Sequence, residues 1–269
     1  MWTALRQRLH GSLLHNDNLM TPEELHNIFR TEAEFWWYRG MRSITGALLD
    51  PALKGELRKG LDAGCGTGYN ASELERRYGL RMAGVDLAPL AIRYCRERGF
   101  DRGAVASVME LPFPDGCFDV VSSIDVFPVL PAGGDERALR EFHRVLRPGG
   151  WLVLRVAAFQ ALRSRHSQYV AERHRYRARE MLRMLTALNF QVIRWTYANA
   201  FLSPAAWFKF RVWEPLLREP PHSGVAQVPP AWLNRLLTAV LFCEAALIRR
   251  GFRFAFGQSW MAVAQKPSA

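Results

Sequence analysis

The chain has 269 residues, 49% hydrophobic and 23% charged, enough to bury a substantial core without disulfides or a metal. Its four cysteines, Cys65, Cys95, Cys117 and Cys243, stand far apart with no C-x-x-C spacing, which argues against a zinc site or disulfide framework and for a reduced, cytoplasmic protein that uses no metal. The net charge of +11 favours anionic partners, whether nucleic acid, an acidic lipid surface or an anionic small molecule, and equally fits an arginine-rich genome.

The first residues, MWTALRQRLHGSLL, lack the continuous apolar core of a signal peptide. Thr21, Pro22 and Glu24 predict a helix from about residue 22: a capping hydroxyl, a proline at the first helical position and a glutamate to close the capping box. The stretch EFWWYRGMRSITGALL (34–49) predicts a second helix or a bend joining two. From about residue 57, short apolar runs alternate with amphipathic segments, the pattern of a parallel sheet with crossover helices. Strands are expected near 58–63, 81–86, 102–106, 118–124 and 150–157, and LRPGG (146–150) stops one helix and turns the chain into a strand.

Beyond residue 158 come a basic loop (159–177), a helix near 178–189, a strand near 191–198 and an insertion rich in aromatics and proline (201–230). An apolar helix follows at about 231–249, and a last strand within 251–267. The run from Leu236 to Ile248 is too short for a membrane span and contains Glu244, so a soluble protein is expected, with peripheral membrane contact left open. The pattern divides into an N-terminal helical cap (1–55) and a core (56–269) with a cap insertion at about 201–250.

The chemistry begins at LDAGCGTG (61–68). Gly64, Gly66 and Gly68 follow the first strand and let the backbone turn tightly beside a ligand. Asp86 ends the next strand, where a carboxylate can accept hydrogen bonds from both ribose hydroxyls of a nucleoside. A dinucleotide fingerprint would place its third glycine or alanine at position 69, which is Tyr69. The spacing G-x-G-x-G instead suits a ligand without phosphate, such as S-adenosyl-L-methionine.

These residues, with ASVMELPFPDGCFDVV (106–121) and REFHRVLRPGGWLVLRV (140–156), resemble the type 11 class I methyltransferases, the UbiE-like group, over about residues 57–157. WWYRGMR (36–42), HRYRARE (174–180) and FGQSWMAVAQKP (256–267) are similar to bacterial members acting on small molecules. The resemblance implies an α/β, Rossmann-like class I methyltransferase fold: a seven-stranded, mostly parallel sheet flanked by helices, with N-terminal helices and a helical C-terminal insertion as a cap. It implies S-adenosyl-L-methionine as methyl donor, S-adenosyl-L-homocysteine as product and no metal. Asp62, Gly64, Cys65, Gly66 and Gly68 would border the methionine portion, Asp86 would hold the ribose and Leu87 would pack on the adenine. Ser107, Val108, Met109 and Glu110 would flank the base, although Ser107 stands where the family has Asp or Asn. Ser123 and Ile124 complete the set. Trp36, Trp37, Tyr38 and Arg39 resemble a segment that closes over the cofactor, with Arg39 on the methionine carboxylate and an aromatic such as Trp37 facing the sulfonium. The alternative is that both tryptophans are core residues.

Many relatives have a Glu-His pair where this chain has Pro128 and Val129, so no base is expected there and the wall from Ile124 to Leu130 should be apolar. The remaining base candidates are His166, Tyr169, His174 and Tyr176, each of which could equally be an ordinary surface residue. The arginines at 163, 165, 173, 175, 177 and 179 face only Glu172 and Glu180, a cationic rim that suits an anionic acceptor. O-methylation of a carboxylate or hydroxyl on a small molecule is the expected reaction. Phe201, Trp207, Phe208, Phe210 and Trp213 are expected either to cap the pocket or to pack on the sheet. Three alternatives stand beside this: a lipid or quinone acceptor, an RNA acceptor, disfavoured because no RNA-binding module is visible, and a non-catalytic cofactor-binding module. Oligomeric state leaves no trace in the sequence.

Overall fold

The computed structural model describes residues 20–53, 57–218 and 220–268; the opening segment and the 55/56 division lie outside them. Seven strands, β1 (Lys59–Ala63), β2 (Arg81–Asp86), β3 (Gly103–Val105), β4 (Phe118–Ile124), β5 (Leu146–Ala157), β6 (Gln191–Ala198) and β7 (Ser259–Gln265), form one sheet in the order β3-β2-β1-β4-β5-β7-β6. Strands β1 to β5 pair in parallel, and β7 inserts antiparallel between β5 and β6. The central strands are buried on both faces, which is why they read as near-continuous apolar runs. Leu61, Val120, Val121, Leu152, Val153 and Met261 are almost wholly enclosed. The buried polar residues of β1, β4 and β5, Asp62, Ser122, Ser123 and Arg155, lie toward the carboxyl ends.

Among the described residues, ten helices flank the sheet: α1 (Pro22–Thr31), α2 (Trp36–Leu49), α3 (Tyr69–Tyr78), α4 (Pro89–Glu97), α5 (Gly134–Val145), α6 (Arg165–Tyr169), α7 (Ala178–Ala187), α8 (Ser203–Phe208), α9 (Glu214–Leu216) and α10 (Ala231–Arg249), with a π turn (Lys209–Trp213) between α8 and α9. Thr21 caps α1 by accepting from Glu24 N at 3.2 Å. The box is left half-made, because the Glu24 carboxylate is buried and lies 3.8 Å from His166 Nδ1. β5 begins at Leu146, immediately after α5, and the Pro-Gly-Gly stretch is absorbed as a register shift against β4. The last strand begins only at Ser259: a side chain at Gly257 would meet the Ala198 carbonyl at 2.4 Å, and residues 251–258 form a loop joined to β6 by the Tyr197–Phe254 bridge.

Helix α2 is part of the main core, with Met41, Ile44, Leu48 and Leu49 in one cluster with the strands. Helix α10 fastens it at both ends. Asn234 Oδ1 accepts from Trp36 N at 2.8 Å at the start of α2, while Asn234 Nδ2 donates to the Glu34 carbonyl. At the far end the Arg194 guanidinium donates to the carbonyls of Ala47, Leu48 and Ile248, closing the C-termini of both helices. Between these ends the helices touch at Gly40, where a Cβ would lie 2.1 Å from Leu241 Cδ1 and 2.5 Å from its Cβ. Gly40→Ala should therefore lower stability by a net ~1–2 kcal/mol in urea unfolding, the clash outweighing the helix propensity gained; a stabilised variant would show that the helices part freely.

Candidate active site at the carboxyl ends of the strands

The glycine loop is pinned to the neighbouring strand: Gly64 N and Cys65 N both donate to the Val85 carbonyl, at 2.8 and 2.9 Å. Gly64 and Gly68 have φ of 86° and 78°, and a Cβ on Gly64 would strike Val126 Cγ2 at 2.1 Å. Only glycine meets both demands. The Asp86 carboxylate faces this loop, accepting from Gly66 N at 2.9 Å and Ala88 N at 2.9 Å. Burial nevertheless raises its pKa. A carboxylate held by two backbone amides keeps lone pairs for further donors.

Asp62, on the adjoining strand, is 1% exposed. Its Oδ1 accepts from Ser122 Oγ at 2.7 Å, whereas Oδ2 and the neighbouring Ser123 Oγ are buried without a partner among the described residues. Burial pushes the Asp62 pKa up to about 7, against the Ser122 hydrogen bond. Such orphaned groups are rare and costly, and a cationic donor would satisfy them.

Four side chains outside the sequence-derived set complete the walls. Arg155, 4% exposed on β5, pairs with Asp125 at 2.7 Å and lies over the Trp37 ring at 5.0 Å. Asp125 follows β4 in a left-handed conformation, φ 60°. The wall expected to be apolar thus contains an ion pair. Arg42 donates to the Glu32 carbonyl at 2.8 Å, stacks over Tyr69 at 4.2 Å and shares a cavity with Ser122, Ile124 and Arg155. Glu32 accepts from Thr67 Oγ1 of the glycine loop and pairs with Arg98 at 2.6 Å, tying the end of α1 to the loop. Arg39 instead lies exposed, one helical turn before the inward Arg42. A spacing of three along α2 was the signal available for Arg42; Asp125 and Arg155 left none.

The other expected cofactor residues divide. Trp37 is half-buried against the core and edge-on to Tyr38, so it is at once a core residue and a cleft wall. Cys65 turns its thiol beneath the loop, 3.9 Å from Cys95 Sγ, leaving only its backbone toward a ligand. Leu87 and Ile124 are half-buried at strand ends. Ser107 accepts from Met109 N at 3.2 Å, Val108 is buried, and Glu110 is exposed.

The four base candidates fall into two pairs rather than one group: His166 and Tyr169 on α6 against the start of α1, and His174 edge-on to Tyr176 at 4.5 Å. His166 Nδ1 accepts from Gly224 N at 3.0 Å, and burial lowers its pKa to about 4, leaving a neutral ring. Tyr169 donates to Glu23 at 3.0 Å at the surface, and the exposed His174 pairs with Glu180 at 2.9 Å. Tyr176 donates to Asp135 at 3.1 Å in the core, where burial raises its pKa. The basic loop folds back so that Arg173 N and His174 N donate to the Pro128 carbonyl, with Arg175 spent on Glu172, Ser167 and Ala158. Of the expected cap, Phe201, Trp207, Phe208 and Trp213 are exposed and Phe210 is half-buried, with Phe201 edge-on to Phe254 at 5.3 Å. A wide recess lined by Asp115, Arg140, His143 and Lys266 lies at the opposite, amino end of the sheet.

Comparison with known proteins follows this geometry. Residues 61–154 match the family described as a methyltransferase domain. The chain is 38% identical over 112 residues to demethylmenaquinone methyltransferase of Thermus thermophilus, covering 39% of this chain and 50% of that protein. It is 34% identical over 145 residues to fatty-acid O-methyltransferase of Mycolicibacterium smegmatis, covering 52% and 50%. It thus spans half or less of the curated relatives it matches first. Among solved structures, a geranyl diphosphate methyltransferase in complex with SAM aligns with a TM-score of 0.57 at 18% identity, covering 96% of this chain and 94% of that one. The [4+2]-cyclase SpnF aligns with a TM-score of 0.52 at 23% identity over 84% and 80%. The fold is the Rossmann-like fold of the class I methyltransferases.

Proposed function

We propose, with the methyltransferase domain of residues 61–154 as premise, that this chain transfers a methyl group from S-adenosyl-L-methionine to an oxygen of a small organic acceptor, a carboxylate first and a hydroxyl second. The observation that carries the reading is the pair of carboxylates facing one glycine loop, Asp86 held by Gly66 N and Ala88 N, and Asp62 with an unpartnered oxygen. The residues fit the cofactor: Asp86 would accept from the ribose hydroxyls, Asp62 Oδ2 would accept from the ammonium end, and Arg42 would take the carboxylate role first expected of Arg39. Met109 and Val108 border the base, with Ser107 left to donate its hydroxyl proton.

When bound, the cofactor supplies a methyl group already activated as a sulfonium, so the chain's work is to position an acceptor and exclude water. Trp37, Val126 and Phe127 provide apolar wall, and the aromatic face of Trp37 favours the cationic sulfur. Tyr38, whose pKa burial raises well above the ordinary value, keeps its proton and supplies no phenolate base. His166, with Nδ1 engaged, carries its proton on Nε2 and has no free lone pair. Since each of the four candidate bases is already engaged, His166 with Gly224, Tyr169 with Glu23, His174 with Glu180 and Tyr176 with Asp135, an acceptor that arrives deprotonated needs least from the chain, and a carboxylate is such an acceptor. The likeness to a fatty-acid O-methyltransferase agrees. A panel of carboxylates, phenols, amines and carbon nucleophiles, read by S-adenosylhomocysteine release, should show turnover of the first two classes; turnover of amines or carbon nucleophiles alone overturns the assignment.

A further inference from the structure

Among the described residues, thirteen of the fifteen exposed large hydrophobic side chains lie between Phe201 and Phe256. Scattered apolar residues need no explanation, but a concentration does. Trp207, Phe208, Trp213 and Leu216 run along α8, the π turn and α9, each about half exposed or more, and the π turn has no buried residue. Trp232 and Leu236, 68% and 54% exposed, stand one turn apart at the start of α10. Exposed cations interleave with them: Lys209, Arg211, Arg218, Arg235, Arg250 and Arg253. The carboxylates described in this span are withdrawn. Glu214 is 2% exposed and accepts from Arg165 N, and Glu244 is 0% exposed and accepts from Ala200 N and Phe201 N.

The segment borders the carboxyl end of the sheet, where the glycine loop lies. Arg211 donates to the carbonyls of Gln160 and Ala161, just past β5. Phe201 follows β6 and Phe256 precedes β7, on either side of the Ala198–Ser259 pair. Asn234 anchors the start of α10 beside Trp36. At 19 residues α10 is long and apolar enough to span a bilayer, contrary to the length expected from the sequence. Yet its buried side holds Asn234, Thr238 and Glu244 in the fold, so it can lie on a membrane without crossing it.

We propose that this face seats on an anionic membrane surface, with its tryptophans, phenylalanine and leucines entering the interface and its lysine and arginines meeting the lipid phosphates. A second copy of the chain is the competing occupant. Two such faces would oppose like charges with no exposed carboxylate among the described residues to answer them, which disfavours self-association. The proposal does not depend on the methyl-transfer reading, and its test uses neither cofactor nor acceptor.

Flotation of the full chain with phosphatidylcholine vesicles, with and without phosphatidylglycerol, should show binding to the anionic vesicles only, weakened by salt and accompanied by a blue shift of tryptophan emission. Lys209→Glu with Arg218→Glu should lower that partitioning by about tenfold or more. Trp207→Ser with Trp213→Ser should reduce the blue shift while the circular dichroism spectrum is unchanged, which separates loss of docking from loss of fold. No binding to anionic vesicles at low salt, or equal binding of the charge-reversed chain, overturns the proposal. So does a dimer in sedimentation velocity that Trp213→Ser dissociates.

Discussion

Asp86→Ala is expected to weaken binding of S-adenosylhomocysteine by about 10²-fold or more, measured by isothermal titration calorimetry. Two hydrogen bonds from ribose hydroxyls to an ionised acceptor are each worth roughly 1.5–3 kcal/mol, which sets the lower bound. The loss compounds, because the same carboxylate orders the loop through Gly66 N and the start of α4 through Ala88 N. Asp86→Asn keeps one acceptor oxygen and should fall between the two. Unchanged affinity in the alanine variant would remove the ribose assignment, and with it the main support for the proposed cofactor.

Asp62→Asn should move stability and affinity in opposite directions. The folded Asp62 pKa of about 7 is above its ordinary value of 3.8, so between those pH values the folded chain keeps a proton that the unfolded chain releases. The contribution of Asp62 to stability is therefore full below about pH 4, falls as pH rises, and is lost above about pH 7, a difference on the order of 4 kcal/mol. Burial, joined by the neighbouring Asp86 charge, outweighs the Ser122 hydrogen bond and the Arg155 charge that act the other way. The asparagine variant cannot ionise there, so in the absence of ligand its melting temperature at pH 8 should exceed the parent's and its profile from pH 4 to 7 should be flatter. Its affinity for S-adenosylhomocysteine should fall, because the ammonium group loses an ionised partner. An unaltered pH profile would mean that Asp62 is not the strained group.

The parts of this site legible in the sequence are those whose geometry is local. Gly64 and Gly68 follow a strand and need positive φ within a few residues of each other, so their spacing announces them. Asp86 closes its strand and precedes Pro89, which starts the next helix. Strand limits were readable because buried parallel strands are apolar runs between glycines and prolines; β5 started four residues early because a bulge absorbed its Pro-Gly-Gly. Arg42, Glu32, Asp125 and Arg155 were not legible. Their roles exist only where α1, α2, β4 and β5 converge, and nothing in the chain near Arg155 forecasts Asp125 beside it. The candidate bases fail for the same reason: one basic loop, docked on Pro128 and on α1, sends His166 and Tyr169 to the start of α1 and His174 and Tyr176 to each other, each engaged with a partner of its own.

The paired fastening of α2 to α10 has a mechanical side. With Asn234 locking one end, Arg194 the other and Gly40 admitting Leu241 between them, the two helices form a single stiff lever. Trp36 and Trp37 sit at the tip of its inner arm, while Trp232 and Leu236 sit on the outer arm at the same end. Tilting α10 alone would break the Asn234 and Arg194 hydrogen bonds, so a displacement of its outer face that keeps them carries α2, and with it Trp37, along.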